Sequence, residues 1–176
     1  MRDTIHNRRS IRLTHYDYTQ AGTYFVTICT HERSCTLGTI ADEEMILSAW
    51  GNVAQSCWDA IPSHFPIVEL DAFVVMPNHV HGIIVIVDVD RRGMIYHAPT
   101  TREFSKPIAS SLSTIVGTFK AAVTRHIRRL PNPPDHPPWQ RNYYEHIVRD
   151  DDDLSRIRQY IEHNVAKWQE DSLWMP

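Results

Sequence analysis

Cysteine is scarce in this chain. The three present, Cys29, Cys35 and Cys57, show no CxxC spacing, which argues against a disulfide framework and against a cysteine-zinc site. Long apolar runs are missing too: none approaches the roughly 20 residues of a membrane span. The N-terminus, MRDTIHNRRS, has no apolar segment of the signal-peptide kind. A cytoplasmic protein without membrane contact is expected. Lys and Arg are absent from residues 35–90, which carry eight acids. What is there is ordinary for a globular chain, 42% apolar and 22% charged, and 176 residues suffice for one domain with a sizeable core.

The net charge of −3 does not suggest a nucleic-acid binder, but its distribution does. Residues 1–34 carry +2, 35–90 carry −8, 91–130 carry +7 and 131–176 carry −4. A +7 segment in an acidic protein is a candidate polyanion-binding face. A solvated helix face is the plainer alternative.

The central stretch is FVVMPNHVHGIIVIV, residues 73–87. Two β-branched apolar runs, Ala72–Met76 and Ile83–Val87, flank a short polar centre, which predicts two antiparallel strands joined at Pro77-Asn78. Side chains alternate along a strand, so His79 and His81 leave one face and Val80 the other. Two imidazoles on one face are a ready pair of metal ligands. One core histidine and one surface histidine would be the bland outcome.

Residues 1–22 read as an irregular basic arm with Arg8, Arg9, Arg12, Tyr16 and Tyr18. A strand is expected over Thr23–Thr30, a hairpin over Leu37–Leu47 turning at Ala41-Asp42-Glu43, and a helix from Ala49 to about Ile61 capped by Ser48. Strands over Ile67–Met76 and Val80–Val87 follow. Residues 88–107 read as a linker, and Ser110–Leu130 as a long helix ending in Lys120, Arg125, Arg128 and Arg129. Pro131–Pro138 excludes helix and central strand. Trp139–Val148 is expected as a last strand. An acidic start at Asp150–Asp153 suits the dipole of a last helix over about Asp152–Trp168. The order β, ββ, α, β, β, α, β, α predicts an α+β fold: one ferredoxin-like or RRM-like antiparallel sheet with helices packed on it. Residues 23–170 would form a single catalytic domain, with 171–176 as a tail.

On the last helix Arg156, Tyr160 and Asn164 recur at four-residue spacing and share a face. Two histidine nitrogens and an amide oxygen leave positions open on a divalent ion, and mixed N/O ligation suits Mg²⁺ or Mn²⁺. An open metal position beside a phenol suggests attack of the tyrosine oxygen on a phosphodiester. Tyr160 at the core boundary with no chemistry is the alternative, and Tyr143 and Tyr144 are competing tyrosines.

These residues resemble a known family. PNHVHGIIVI is similar to the His-hydrophobic-His motif of HUH single-tyrosine transposases. WQRNYYEHIVRDDDDLSRIRQYIEHNVAKW resembles the C-terminal half of the REP-associated tyrosine transposases, as do YFVTICT, ELDAFVVMPNHVH and SLSTIVGTFKAAVTR. The similarity spans roughly residues 8–170. It implies that His79 and His81 bind the metal, that Tyr160 is the nucleophile and that Asn164 is the third ligand. The family commonly continues Asn-Pro, whereas this chain has Asn164-Val165, which leaves the helix free to run longer. The resemblance further implies cleavage of single-stranded DNA at a folded hairpin, through a 5′-phosphotyrosine, by a monomer or homodimer. DNA would lie on Lys120, Arg125, Arg128 and Arg129, with Arg8, Arg9 and Arg12 near the hairpin foot. Glu145, His146 and Tyr144 are possible supports around the ion. A histidine-triad hydrolase fails at Ile83, where a third histidine is needed. A domesticated hairpin-binding protein that has lost strand transfer remains the non-enzyme rival, and an RNA-binding sheet lacks its aromatic phrase.

Overall fold

The computed structural model describes residues 21–87 and 111–174. The basic arm with Arg8, Arg9 and Arg12, and the 88–107 linker, lie outside the described residues. Four strands make the main sheet: β1 (Gly22–Cys29), β4 (Val68–Met76), β5 (His79–Ile86) and β6 (Tyr144–Val148). They are antiparallel throughout, in the order β4-β5-β1-β6. With helices α1 (Ala49–Asp59), α2 (Ile61–His64) and α3 (Leu112–Ile127) in the two crossovers, this is the split βαβ pattern of a ferredoxin-like fold. A final helix, α4 (Asp151–His163), follows β6. Among the described residues no helix is long and apolar enough to cross a membrane.

Strand alternation sorts the core into two layers. Tyr24, Val26 and Ile28 of β1 and Val80, Ile84 and Ile86 of β5 pack with Trp58 of α1 and Ile115, Phe119 and Val123 of α3. The opposite face carries a smaller cluster of Phe25, Ile83, Ile157 and Ile161, on which α4 rests. Each fully buried side chain of this size contributes about 1.5–3 kcal/mol. The α4 layer is therefore the lighter of the two, and a polar clamp reinforces it. A bulge in β4 sets Asp71 and Ala72 where the register shifts between Leu70 and Phe73. Asp71 then accepts from Arg158 Nε of α4 at 2.9 Å.

Three expectations are corrected. The 37–47 hairpin forms as β2 (Gly38–Ala41) and β3 (Glu44–Leu47), but as a separate two-stranded sheet rather than part of a single one. Asp42 and Glu43 take positive φ at its turn. The last strand begins at Tyr144, not Trp139: the carbonyls of Gln140, Arg141 and Asn142 accept from the Lys120 ammonium instead of a neighbouring strand. The last helix stops at His163, not Trp168, because Asn164 N–H tightens onto Ile161 O. The expected cap Ser48 accepts from Trp50 and Gly51 N–H; Ser111 and Asp150 cap the other two helices, accepting from Thr114 N–H and Asp153 N–H.

Candidate metal centre and tyrosine site

His79 and His81 open β5 and face the α4 side, as alternation requires, and both are buried. Their Nε2 atoms sit 2.9 Å apart. The outer nitrogens are taken: His79 Nδ1 lies 2.7 Å from Asn78 Oδ1 and His81 Nδ1 lies 2.8 Å from Thr27 Oγ1. The proton on His79 follows by elimination. Asn78 Nδ2 donates to Leu173 O at 2.8 Å, and a carbonyl can only accept, so the amide oxygen faces His79. That oxygen only accepts, so His79 Nδ1 carries the hydrogen and its Nε2 is bare. The inward lone pair needs a proton or a cation between the rings, and a carbonyl-type partner on the outer nitrogen, as at His79, is how metal-binding histidines are held.

A third donor comes from the C-terminal segment. Asp171 Oδ2 lies 3.9 Å from His79 Nε2 and 4.0 Å from His81 Nε2. The three ligand atoms all fall within 4.8 Å of one another. Asp171 Oδ1 accepts from Leu173 N–H at 2.6 Å, which fixes the carboxylate. Two imidazoles and a carboxylate form a mixed N/O set that fits a divalent ion with positions left open. Burial, then the charge of His81, pushes the His79 pKa down to about 3, so the ring is neutral and available as a ligand at ordinary pH. Burial also lowers the pKa of His81. The Asp171 carboxylate, although partly desolvated, is held well below the usual range by the adjacent His81 ring and its bond from Leu173 N–H.

Tyr160 projects from α4 into this group. Its hydroxyl lies 3.1 Å from His81 Nε2 and donates to Asp171 Oδ2 at 3.4 Å, while 45% of the residue is exposed. Burial of the phenol and then the Asp171 charge raise its pKa, and a bond from the Asn164 amide opposes them. Arg156, Tyr160, Asn164 and Asp171 share one open cleft of about 480 Å³. Of the polar row read along the helix, Tyr160 is the member that meets the histidine pair.

The remaining expected residues scatter. Asn164 is buried beside Tyr160, and its Oδ1 has no hydrogen-bond partner among the described residues. An orphaned acceptor of this kind is what an absent cation would leave, so Asn164 and Asp171 both offer an oxygen donor in the Tyr160 cleft. Glu145 pairs with Val26 and so faces the α1/α3 layer, away from the histidine pair. His146 is on the histidine face but bonds Asp153 Oδ2 through Nε2 at 2.8 Å. Tyr144 is half-exposed with its ring edge-on to Phe25, and Tyr143 packs against the larger core. Lys120 spends its ammonium on the 140–142 carbonyls. Arg125, Arg128 and Arg129 line an open groove with Trp139 and Arg141. Three residues escaped the sequence reading: Thr27, Asn78 and Asp171. Thr27 sits on the histidine-facing side of β1, legible once β1 is placed beside β5. A lone acid in a polar tail and an asparagine in a turn carried no signal.

No protein-family model matches the chain. An uncharacterized protein of Haemophilus influenzae Rd is 42% identical over 173 residues, covering 97% of this chain and 95% of that one. A second protein of the same organism, named provisionally as a REP-associated tyrosine transposase, is 24% identical over 151 residues, 86% of this chain and 74% of its own length. The solved structure of a REP-associated tyrosine transposase bound to a REP hairpin superimposes with a TM-score of 0.60 at 21% identity, covering 90% of this chain and 74% of that one. In sequence and in fold, the chain is therefore similar to the REP-associated tyrosine transposases.

Proposed function

We propose that the protein cuts and rejoins single-stranded DNA at hairpin ends, through a covalent 5′-phosphotyrosine on Tyr160 formed with the help of a divalent ion. One observation carries the reading: the Tyr160 hydroxyl lies 3.1 Å from His81 Nε2, against the histidine pair and Asp171. A nucleophile and a set of cation ligands converge there. Mg²⁺ or Mn²⁺, held by His79, His81 and an oxygen of Asp171 or Asn164, would polarise the phosphodiester and offset its negative charge.

The chain's own residues supply the rest. The Tyr160 oxygen bonds to phosphorus as the bond from phosphorus to the 3′-oxygen breaks. The phenol proton leaves toward Asp171 Oδ2, 3.4 Å away, and the departing oxygen takes a proton to become a free 3′-hydroxyl. A 3′-hydroxyl from a second end then attacks the phosphotyrosine, remakes the phosphodiester and returns Tyr160 to a phenol. No external energy source is needed, because the phosphotyrosine conserves the bond. The solved relative's REP hairpin supports hairpin DNA as the partner. The Arg125, Arg128, Arg129 and Arg141 groove offers it phosphate contacts.

The test uses single-stranded hairpin oligonucleotides from the flanks of the protein's own gene, with Mg²⁺ or Mn²⁺, read on a denaturing gel and by intact mass. A covalent protein–DNA adduct is expected, lost in Tyr160→Phe while hairpin binding stays within a few fold. Tight hairpin binding with no adduct in either metal would overturn the enzymatic reading in favour of a hairpin-binding protein.

A further inference from the structure

The mechanism above uses the two histidines, Asp171 and Tyr160, and leaves unexplained how a carboxylate beyond the end of α4 reaches the start of β5. Asn78 answers this. It is fully buried in the turn between β4 and β5, and its side chain is used at both ends. The amide oxygen meets His79 Nδ1 at 2.7 Å. The amide nitrogen donates to Leu173 O at 2.8 Å, 95 residues along the chain. Leu173 in turn donates its N–H to Asp171 Oδ1 at 2.6 Å. A single amide thus touches one histidine directly and the carboxylate through one intervening residue.

We propose that Asn78 is a positioning residue that assembles the metal centre from both sides, fixing the His79 tautomer with its oxygen and strapping Asp171 into place with its nitrogen. The inference rests on the metal reading above, and chemistry sets its logic. An amide has one accepting and one donating end, so satisfying Leu173 O forces the oxygen onto His79 and leaves His79 Nε2 bare. An aspartate would lose the strap, because a carboxylate cannot donate to a carbonyl. A leucine or alanine would lose both ends. The backbone carbonyl of Asn78 adds a third tie by accepting from Thr30 N–H at 2.9 Å, which holds the turn against the end of β1. The turn cannot swing to compensate for a changed side chain.

Two measurements on metal-free protein are independent of any ion. Long-range ¹H–¹⁵N spectra should place the His79 proton on Nδ1 in the wild type, and on a mixture of both nitrogens in Asn78→Ala. Hydrogen exchange at the Leu173 amide should quicken in Asn78→Ala and in Asn78→Asp, whereas the His79 tautomer should survive in Asn78→Asp. Mn²⁺ titration calorimetry then completes a double-mutant cycle. Asn78→Ala should weaken binding about 10- to 100-fold, the usual effect of losing a partner behind a metal-binding histidine. The same change in an Asp171→Ala background should cost less, since the strap has nothing left to deliver. Equal losses in both backgrounds would overturn the strap. An unchanged tautomer and unchanged Leu173 exchange in folded Asn78→Ala would overturn the proposal entirely. If Asn78→Ala does not fold, Asn78→Asp decides: Leu173 exchange at the wild-type rate would overturn the strap. Failure of the wild type to bind Mn²⁺, with both metal-free results as expected, would sink the metal reading and leave the role of Asn78 as an organiser of these residues intact.

Discussion

Asp171 and Asn164 are two oxygen donors competing for one role. Asp171 lies with the histidines and carries a charge, so Asp171→Ala should weaken Mn²⁺ binding about tenfold or more, and Asn164→Ala less. Calorimetry that ranks them the other way would return Asn164 to the place its motif implies. Asp153 makes a separate prediction. Its bond to His146, aided by Arg156 and Arg149 N–H, brings its pKa from 3.8 down to about 2. The folded state therefore binds this proton less readily than the unfolded chain. Its stabilisation is full above pH 3.8 and is lost as pH falls through about 2. Urea melts of Asp153→Asn and wild type should differ at neutral pH and converge across that window; a constant difference would show the contribution is not ionic.

At the scale of the element, β5 is the strand everything else meets. Its odd positions, His79, His81 and Ile83, face α4, and its even positions face α1 and α3. Gly82 is where the second face is tightest. A Cβ there would fall 2.3 Å from Trp58 Cζ2, and Trp58 is held by stacking on Phe73 with ring centroids 4.4 Å apart. Gly82→Ala should destabilise by about 1–3 kcal/mol through overpacking, read by chemical denaturation; a neutral result would mean the indole has room to slide. Helix α4 shows why its end matters as much as its face. Arg158 clamps it to Asp71 of the β4 bulge, and the tightened turn at Asn164 stops it early enough for the chain to double back. A helix continued to Trp168 at 1.5 Å per residue would run straight on past the histidines.

For the whole molecule, charge separates the two ends of the proposed chemistry. Residues 139–142 run from the arginine groove to the end of β1, where Gln140 N–H bonds Cys29 O and Cys29 faces His79 across the ladder. Replacing Arg125, Arg128 and Arg129 by alanine should lower the log–log salt slope of hairpin binding by about 2 to 3, at 0.7–0.9 per phosphate contact; an unchanged slope would put the DNA elsewhere. Lys120 lines the same groove while its ammonium donates to the carbonyls of Gln140, Arg141 and Asn142. The strand and helix order, the shared face of His79 and His81, and the Arg156–Tyr160–Asn164 row were legible in the sequence, because periods of 2 and 3.6 are local properties of the chain. Composition could not show that Lys120 also ties down the 140–142 segment. Nor could spacing find Asp171 or Asn78, whose roles depend on a hydrogen bond between residues 78 and 173. Local periodicity determined which residues share a face; only tertiary folding, by closing contacts across 95 positions, decided which carboxylate lies beside the two histidines.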